Sequence, residues 1–198
     1  MIYDFFKLIL IKIRDMKTQA FEFVVFELIN WYKLQNSIIE NEQFNHFNDF
    51  NKLKVIKLHF FASAINSKSN SLLSVFDKFY AMPYGHVESD VYNNWNNFTF
   101  YKIDTKKLTI LNPTELSRES FVLVEESLKL EISKAVEDLK NSNSSLINYN
   151  SLQLVELSHK WFSWKSMFSY AKLNSRYSEY IPSNLIKEEN KTFELINS

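Results

Sequence analysis

The sequence contains no cysteine, 1 glycine and 3 prolines in 198 residues. Without thiols there is no disulfide scaffold, no thiolate zinc site and no cysteine nucleophile. Glycine is the default residue for left-handed and tightly turned backbone. A single one excludes a GxGxxG nucleotide loop, a P-loop, a GxSxG nucleophile elbow and glycine-rich propeller repeats. Neither sign of charge is in excess, since 23 Lys+Arg balance 23 Asp+Glu. No global field therefore draws the chain to nucleic acid or to an anionic membrane.

Long apolar runs are also lacking. The run Leu8-Ile9-Leu10-Ile11 is flanked by Lys7, Lys12 and Arg14 and is followed by no small-residue cleavage site, which argues against a secretory signal. The stretch from Ala20 to Leu34 carries Glu22, Glu27, Asn30 and Lys33, and is too short and too charged to cross a bilayer. The expectation is a cytoplasmic protein with no membrane partner. Met16 offers an alternative start, which makes residues 1–15 an N-terminal appendage, helical or otherwise, or a misassigned leader.

What is abundant is aromatic and amide side chain. Phe, Tyr and Trp number 18, 10 and 4, or 16% of the chain, and Asn and Ser number 21 and 23. Asparagine tolerates left-handed backbone and can serve helix ends and turns in place of glycine. With 45% hydrophobic and 23% charged residues, the chain reads as globular, with residues 16–198 forming one domain. The aromatic content suits either a large core or a protein-binding surface.

Periodicity predicts a mainly α fold: six to eight helices and one small β-hairpin at about 98–111. Met16 to Gln35 is apolar between Gln19, Glu22, Glu27, Asn30 and Lys33, the pattern of a helix buried on most of its circumference. Residues 36–51 read as a polar loop or frayed helix. A helix over about 50–66 places Leu53, Ile56, Phe60 and Ala64 inward, with Lys54 and Lys57 outward and His59 on a solvated edge beside Lys52, Ser63 and Asn66. A shorter helix spans about 72–81 and stops before Pro83, and another carries Val87 to Asn94. The hairpin pairs Phe98–Ile103 with Leu108–Leu111 across residues 104–107 and must pack on helices, because an isolated ribbon is marginal in water. Arg118 to Asn141 is the clearest amphipathic helix, with Glu125 and Lys129 as an i,i+4 pair. Asn150 and Gln153 form a capping pair for a helix through Leu157; two more helical stretches lie near 164–172 and 183–195.

No catalytic set emerges. His86-Val87-Glu88 has the HxE spacing of zinc deaminases but no PCxxC partner, and no HExxH occurs. Ser158 and His159 are neighbours whose side chains diverge on a helix, so they form no dyad; His159 is read as a semi-buried residue that orients Trp161 and Trp164. The pairs Glu125-Glu126 and Glu188-Glu189 read as solvated helical faces. The densest basic groups, Lys52/Lys54/Lys57 and Lys102/Lys106/Lys107, stand in a chain with only three arginines, which disfavours nucleic acid. The reading is a binding protein and not an enzyme, with no cofactor, metal or small-molecule substrate.

Three segments in order resemble the Panacea domain, the family of SocA-like antitoxins of bacterial and phage toxin–antitoxin pairs. Residues 52–61, KLKVIKLHFF, are similar to the family's lysine- and leucine-rich second helix. Residues 79–87, FYAMPYGHV, followed by Asp90 and Tyr92, resemble its YGPV turn, with His86 where the family has proline. Residues 152–165, LQLVELSHKWFSWK, are similar to its SH…W helix, and Ile181, Leu185 and Ile186 fit its terminal helix. The resemblance covers about residues 18–196 and implies an antitoxin that neutralises a cognate, adjacently encoded protein toxin by direct contact; some relatives deliver the toxin to a protease. It implies structural or partner-binding roles for Tyr84, Gly85, Val87, Ser158, His159 and Trp164. Gly85 would let the chain pass close to the core, Tyr84 and Val87 would pack on either side, and His159 and Trp164 would brace the turn or the hairpin. Losing the proline ring at His86 would leave the turn less rigid. Gly85 is expected to have positive φ or a close approach of its backbone to the rest of the fold. The rival readings are a helical adaptor or phage-derived interaction module, a promoter-binding regulator, and a hydrolase with a pocket joining His159 to a carboxylate.

Overall fold

The computed structural model describes residues 2–68 and 72–195, with the side chains of 2–14 outside the description. The described chain is 58% helical, with eight helices and two small antiparallel sheets. Helix α1 runs from Ile2 to Gln35, so the backbone of the N-terminal appendage continues the helix predicted from Met16. The four-residue apolar run at 8–11 lies among the side chains that are not described. No described helix is long and apolar enough to cross a membrane.

The centre of the fold is α3 (Lys52–Ile65), which packs on α1, on α5 (Glu126–Ser142), on α6 (Ser151–Lys160) and on strand β2 (Gly85–Glu88). A helix enclosed from so many sides has no solvent face, and this overturns the expected orientation of its polar residues. Lys54, Lys57 and His59 are all buried. Lys54 reaches out along its alkyl stem to Asp49, at 2.6 Å. His59 lies inside an aromatic cage of Phe21, Phe76 and Phe79. Amphipathic reasoning expels every lysine from a core, but a long stem lets the charged head find a partner elsewhere.

Instead of a helix over 72–81 there is a single 3₁₀ turn, Leu72–Ser74, followed by strand β1 (Phe79–Met82). The aromatic and small residues Phe79-Tyr80-Ala81 form a second hairpin with β2 through the two-residue loop Pro83-Tyr84. Pro83 does keep its predecessor out of the α region, as the steric rule requires, but Met82 satisfies that rule by being extended. Val87 and Glu88 belong to β2, and the helix predicted after Gly85 is reduced to α4 (Ser89–Asn93). A short strand β5 (Glu179–Tyr180) completes the order β2-β1-β5.

The predicted hairpin is present as β3 (Tyr101–Ile103) and β4 (Leu108–Ile110). Asp104 closes its turn by accepting from the Lys106 and Lys107 amides at 2.7 and 3.0 Å. The free edge of β4 is covered by two asparagine side chains from the 36–51 segment, which contains helix α2 (Asn41–Phe47). Asn48 accepts from Leu108 N (3.1 Å) and donates to Leu108 O (3.0 Å), and Asn45 does the same with Ile110 at 2.8 and 3.1 Å. Each amide acts as a one-residue strand, satisfying edge groups that would otherwise face the core unpaired.

The other end of the ribbon is tied to α1 by Glu22, whose Oε1 accepts from Phe100 N at 2.7 Å while Oε2 is buried without a hydrogen bond. Burial pushes this carboxyl up to about 7, outweighing the backbone donors of Phe100 and Thr99 that favour the anion. Between its ordinary value near 4.5 and about 7 the folded state therefore holds a proton that the unfolded chain has released, and stability falls as pH rises across that window. Glu22→Gln keeps the acceptor and removes the charge. It should be more stable than the parent at pH 8 by about 2–3 kcal/mol, with no such advantage below about pH 4.5. Equal urea midpoints of the two proteins at pH 8 would refute this.

Helix α5 begins at Glu126, later than the predicted Arg118. Residues 118–120 form a separate 3₁₀ turn capped by Ser117, and Leu123 N is taken by Gln19 Oε1 at 2.9 Å, so Phe121 and Val124 reach the core from non-helical backbone. Lys129 pairs with Glu126 at 3.7 Å and not with Glu125. The capping pair Asn150/Gln153 starts α6 as expected. Trp161, with ψ 133°, breaks α6 from α7 (Phe162–Leu173). The last helix, α8, covers only Ser183–Glu188; beyond it Trp161 Nε1 and Asn143 Nδ2 hold the Thr192 and Phe193 carbonyls.

Candidate functional site

Sequence reasoning singled out a turn around Gly85 and a helix around His159, and the fold brings the two together. Helix α6 packs on β2, and α7 packs on β1. Trp164 Nε1 donates to the Met82 carbonyl at 2.8 Å, and the Pro83 carbonyl lies on the side of the His159 ring that favours its protonated form. The two side chains therefore brace the β1–β2 turn directly, while the hairpin β3–β4 lies elsewhere. The His159 ring stacks on Trp164 at 3.7 Å, Trp164 stacks on Phe168 at 4.9 Å, and the Lys172 ammonium lies 4.7 Å over Phe168. Partial burial in this ladder lowers the His159 pKa, with the positive charge of Lys57 acting in the same direction.

Gly85 has φ +97°, and a Cβ placed there would lie 2.4 Å from Ser158 Oγ, 2.9 Å from Ser158 Cβ and 3.0 Å from Lys57 Nζ. Both expectations for this residue hold: the backbone is in the region that excludes L side chains, and it passes directly over α6. Val87 is buried, but Tyr84 is 63% exposed. The expectation that Tyr84 packs beside the turn is thus overturned; as the second residue of a two-residue loop it projects outward.

His86 proves to be the hub that sequence reasoning missed. Its Nδ1 and Nε2 lie 2.9 Å from Ser158 Oγ and 2.9 Å from Ser163 Oγ, and its backbone N–H also donates to Ser158 Oγ at 3.2 Å. The imidazole stacks on Phe60 at 3.6 Å and 6°, and the buried Lys57 donates to its carbonyl at 2.6 Å. Where a proline would fix φ covalently, this chain holds the position through hydrogen bonds on every polar atom of His86. Burial drives the His86 pKa well down, reinforced by the charges of Lys57 and His159, so the ring is neutral; burial likewise drives Lys57 well down.

A Ser–His–Ser chain invites comparison with nucleophilic catalysis, and Glu189 extends it by accepting from Ser163 N at 3.1 Å. Ser158, His86 and Ser163 are each 0% exposed, and Gly85 closes over Ser158 Oγ, so no reacting atom can approach. Among the described residues His159 meets no carboxylate, and the cavity of about 370 Å³ beside Pro83 is lined by Phe168, Lys172, Ser175, Arg176 and Tyr177. The zinc-deaminase spacing at 86–88 is likewise spent on structure, because Glu88 caps α4 through Val91 N at 2.8 Å and pairs with Lys17. The only detectable clue to the His86 hub was negative, a histidine where the resembling family carries proline.

A second polar cluster lies at the mouth of a cavity of about 650 Å³, where Lys17 meets Asp77, Glu88 and Asp90 at 2.7, 3.1 and 2.8 Å. The three carboxylates have ligand atoms within 4.8 Å of one another, the spacing of a cation site. The cation they surround is the Lys17 ammonium itself. Burial opposes its charge, but the carboxylates outweigh burial and raise its pKa.

No family model, no curated protein and no solved structure matches the chain.

Proposed function

We propose that this chain is an antitoxin-like protein that binds and neutralises a protein toxin encoded beside it, by direct contact and without catalysis of its own. The observation that carries the reading is the convergence of two of the three family-like segments on one unit: the Tyr84-Gly85 turn rests on Ser158, His159 and Trp164. The third segment, α3, supplies the Lys57 and Phe60 contacts beneath that turn. Motifs scattered over 110 residues that interlock in this way belong to one structural solution. Lys57, His86, Ser158 and Ser163 beneath the turn are sealed from solvent, which favours a scaffold for binding over a reaction centre.

The test is co-expression with the adjacent open reading frame. Inducing the neighbour alone should arrest growth, and this chain should restore it. A harmless neighbour, or toxicity that the chain leaves unrelieved, would contradict the proposal.

A further inference from the structure

We infer that the outer face of α7 and the turn following it form a docking surface for an acidic, apolar-centred patch of the partner protein. This rests on the function proposed above and locates its contact. Helix α7 packs one side, through Trp164, Met167 and Phe168, on the core, while Phe162, Lys165, Tyr170, Lys172 and Leu173 on its other side are exposed. At about 100° per residue, Lys172, Lys165, Phe162 and Leu173 fall in that order within an arc of roughly 100°. Phe162 and Leu173 are 62% and 85% exposed, and beyond the helix end Tyr177 is 88% exposed beside Arg176.

Charge supplies the identity of the occupant. Residues 160–177 contain Lys160, Lys165, Lys172 and Arg176 and no acidic residue. Arg176 pairs with Glu179 at 2.7 Å and Lys160 lies 3.9 Å from Glu156, so Lys165 and Lys172 are the cations of this face with no carboxylate partner among the described residues. A concentration of one sign around exposed hydrocarbon is complementary to carboxylates around an apolar centre. Aromatic and arginine anchors with a polar rim are the composition of protein interfaces. The 370 Å³ cavity between Pro83, Phe168 and Tyr177 gives one partner side chain a place to insert. An aliphatic centre at Leu173 argues for protein and against nucleic acid, because it neither stacks on bases nor meets phosphates.

The experiment co-produces the chain with the product of the adjacent gene and reads both growth rescue and affinity of the purified pair. Three versions are compared: the parent, Lys165→Glu/Lys172→Glu, and Leu173→Ser/Tyr177→Ser. All changed side chains are exposed, so circular dichroism and thermal midpoints should match the parent. Lys134→Glu on α5 serves as a charge control. Each face variant should bind at least tenfold more weakly, the control should not, and parent affinity should fall as salt is raised. Unchanged binding by both face variants, with rescue intact, overturns the surface and leaves the function standing. A parent that binds no neighbour overturns the function and the surface with it. A dimer of this chain that the face variants disperse, or a salt-sensitive shift of plain DNA or RNA that they abolish, overturns the assignment in favour of that occupant.

Discussion

Gly85→Ala should lower the thermal midpoint by roughly 6–12 °C. Two costs combine. An L residue at φ +97° costs roughly 1–2 kcal/mol in backbone sterics. The new Cβ would stand 2.4 Å from Ser158 Oγ and 2.9 Å from Ser158 Cβ, and α6 must shift to admit it, at about 1–3 kcal/mol. A total near 3 kcal/mol corresponds to that shift in a domain of this size. The Ser158 hydroxyl cannot rotate away freely, because it is bonded to both the ring and the backbone nitrogen of His86. Ser158→Gly is itself destabilising, because it unpairs the buried His86 nitrogens. Within that background, however, the added cost of Gly85→Ala should shrink to the backbone part. An alanine variant as stable as the parent would show that the turn is not held against α6 as described.

Acid should destabilise the fold through two histidines that are neutral and buried. Burial, with the nearby charge of Lys17, lowers the His59 pKa to about 3, and burial with Lys57 and His159 lowers that of His86 well below 6.5. Below about pH 6.5 the unfolded chain binds protons at both rings and the folded chain does not. More protons on the unfolded state means that stability rises with pH, so it is lost as pH falls. At pH 5 the His59 contribution alone is about 2 kcal/mol. Glu22 acts with the opposite sign between about pH 4.5 and 7, so the measurement belongs in the Glu22→Gln background. There the urea-derived stability should fall by at least about 2 kcal/mol from pH 7 to pH 5, and His59→Leu should remove that much of the slope. A flat profile would mean that water or a partner reaches these rings.

The helices with one wet face were legible in the sequence, because period and caps agree there: α6 with its Asn150/Gln153 box and the apolar stripe Ile132, Ala135 and Leu139 of α5 are examples. What escaped detection is structure whose stabilising partner is remote. Phe79–Met82 is a strand only because Gly85–Glu88 and Glu179–Tyr180 pair with it. Lys57 is inside only because the His86 carbonyl, 29 residues away, awaits it. The site divides in the same way. Gly85, Ser158, His159 and Trp164 could be named from a resemblance, and the positive φ of Gly85 from composition. His86, Ser163 and Phe60 could not, since their roles exist only where three elements meet. The exposure of Tyr84 also needed the loop length to be known.

Direct, stoichiometric contact is the central claim, and titration calorimetry of the purified chain against the purified product of the adjacent gene tests it. The account predicts a saturable heat with an endpoint at a fixed molar ratio, and a complex that co-elutes on size exclusion. Absence of heat and of co-elution, while the chain still rescues growth at amounts far below those of the toxin, would contradict it.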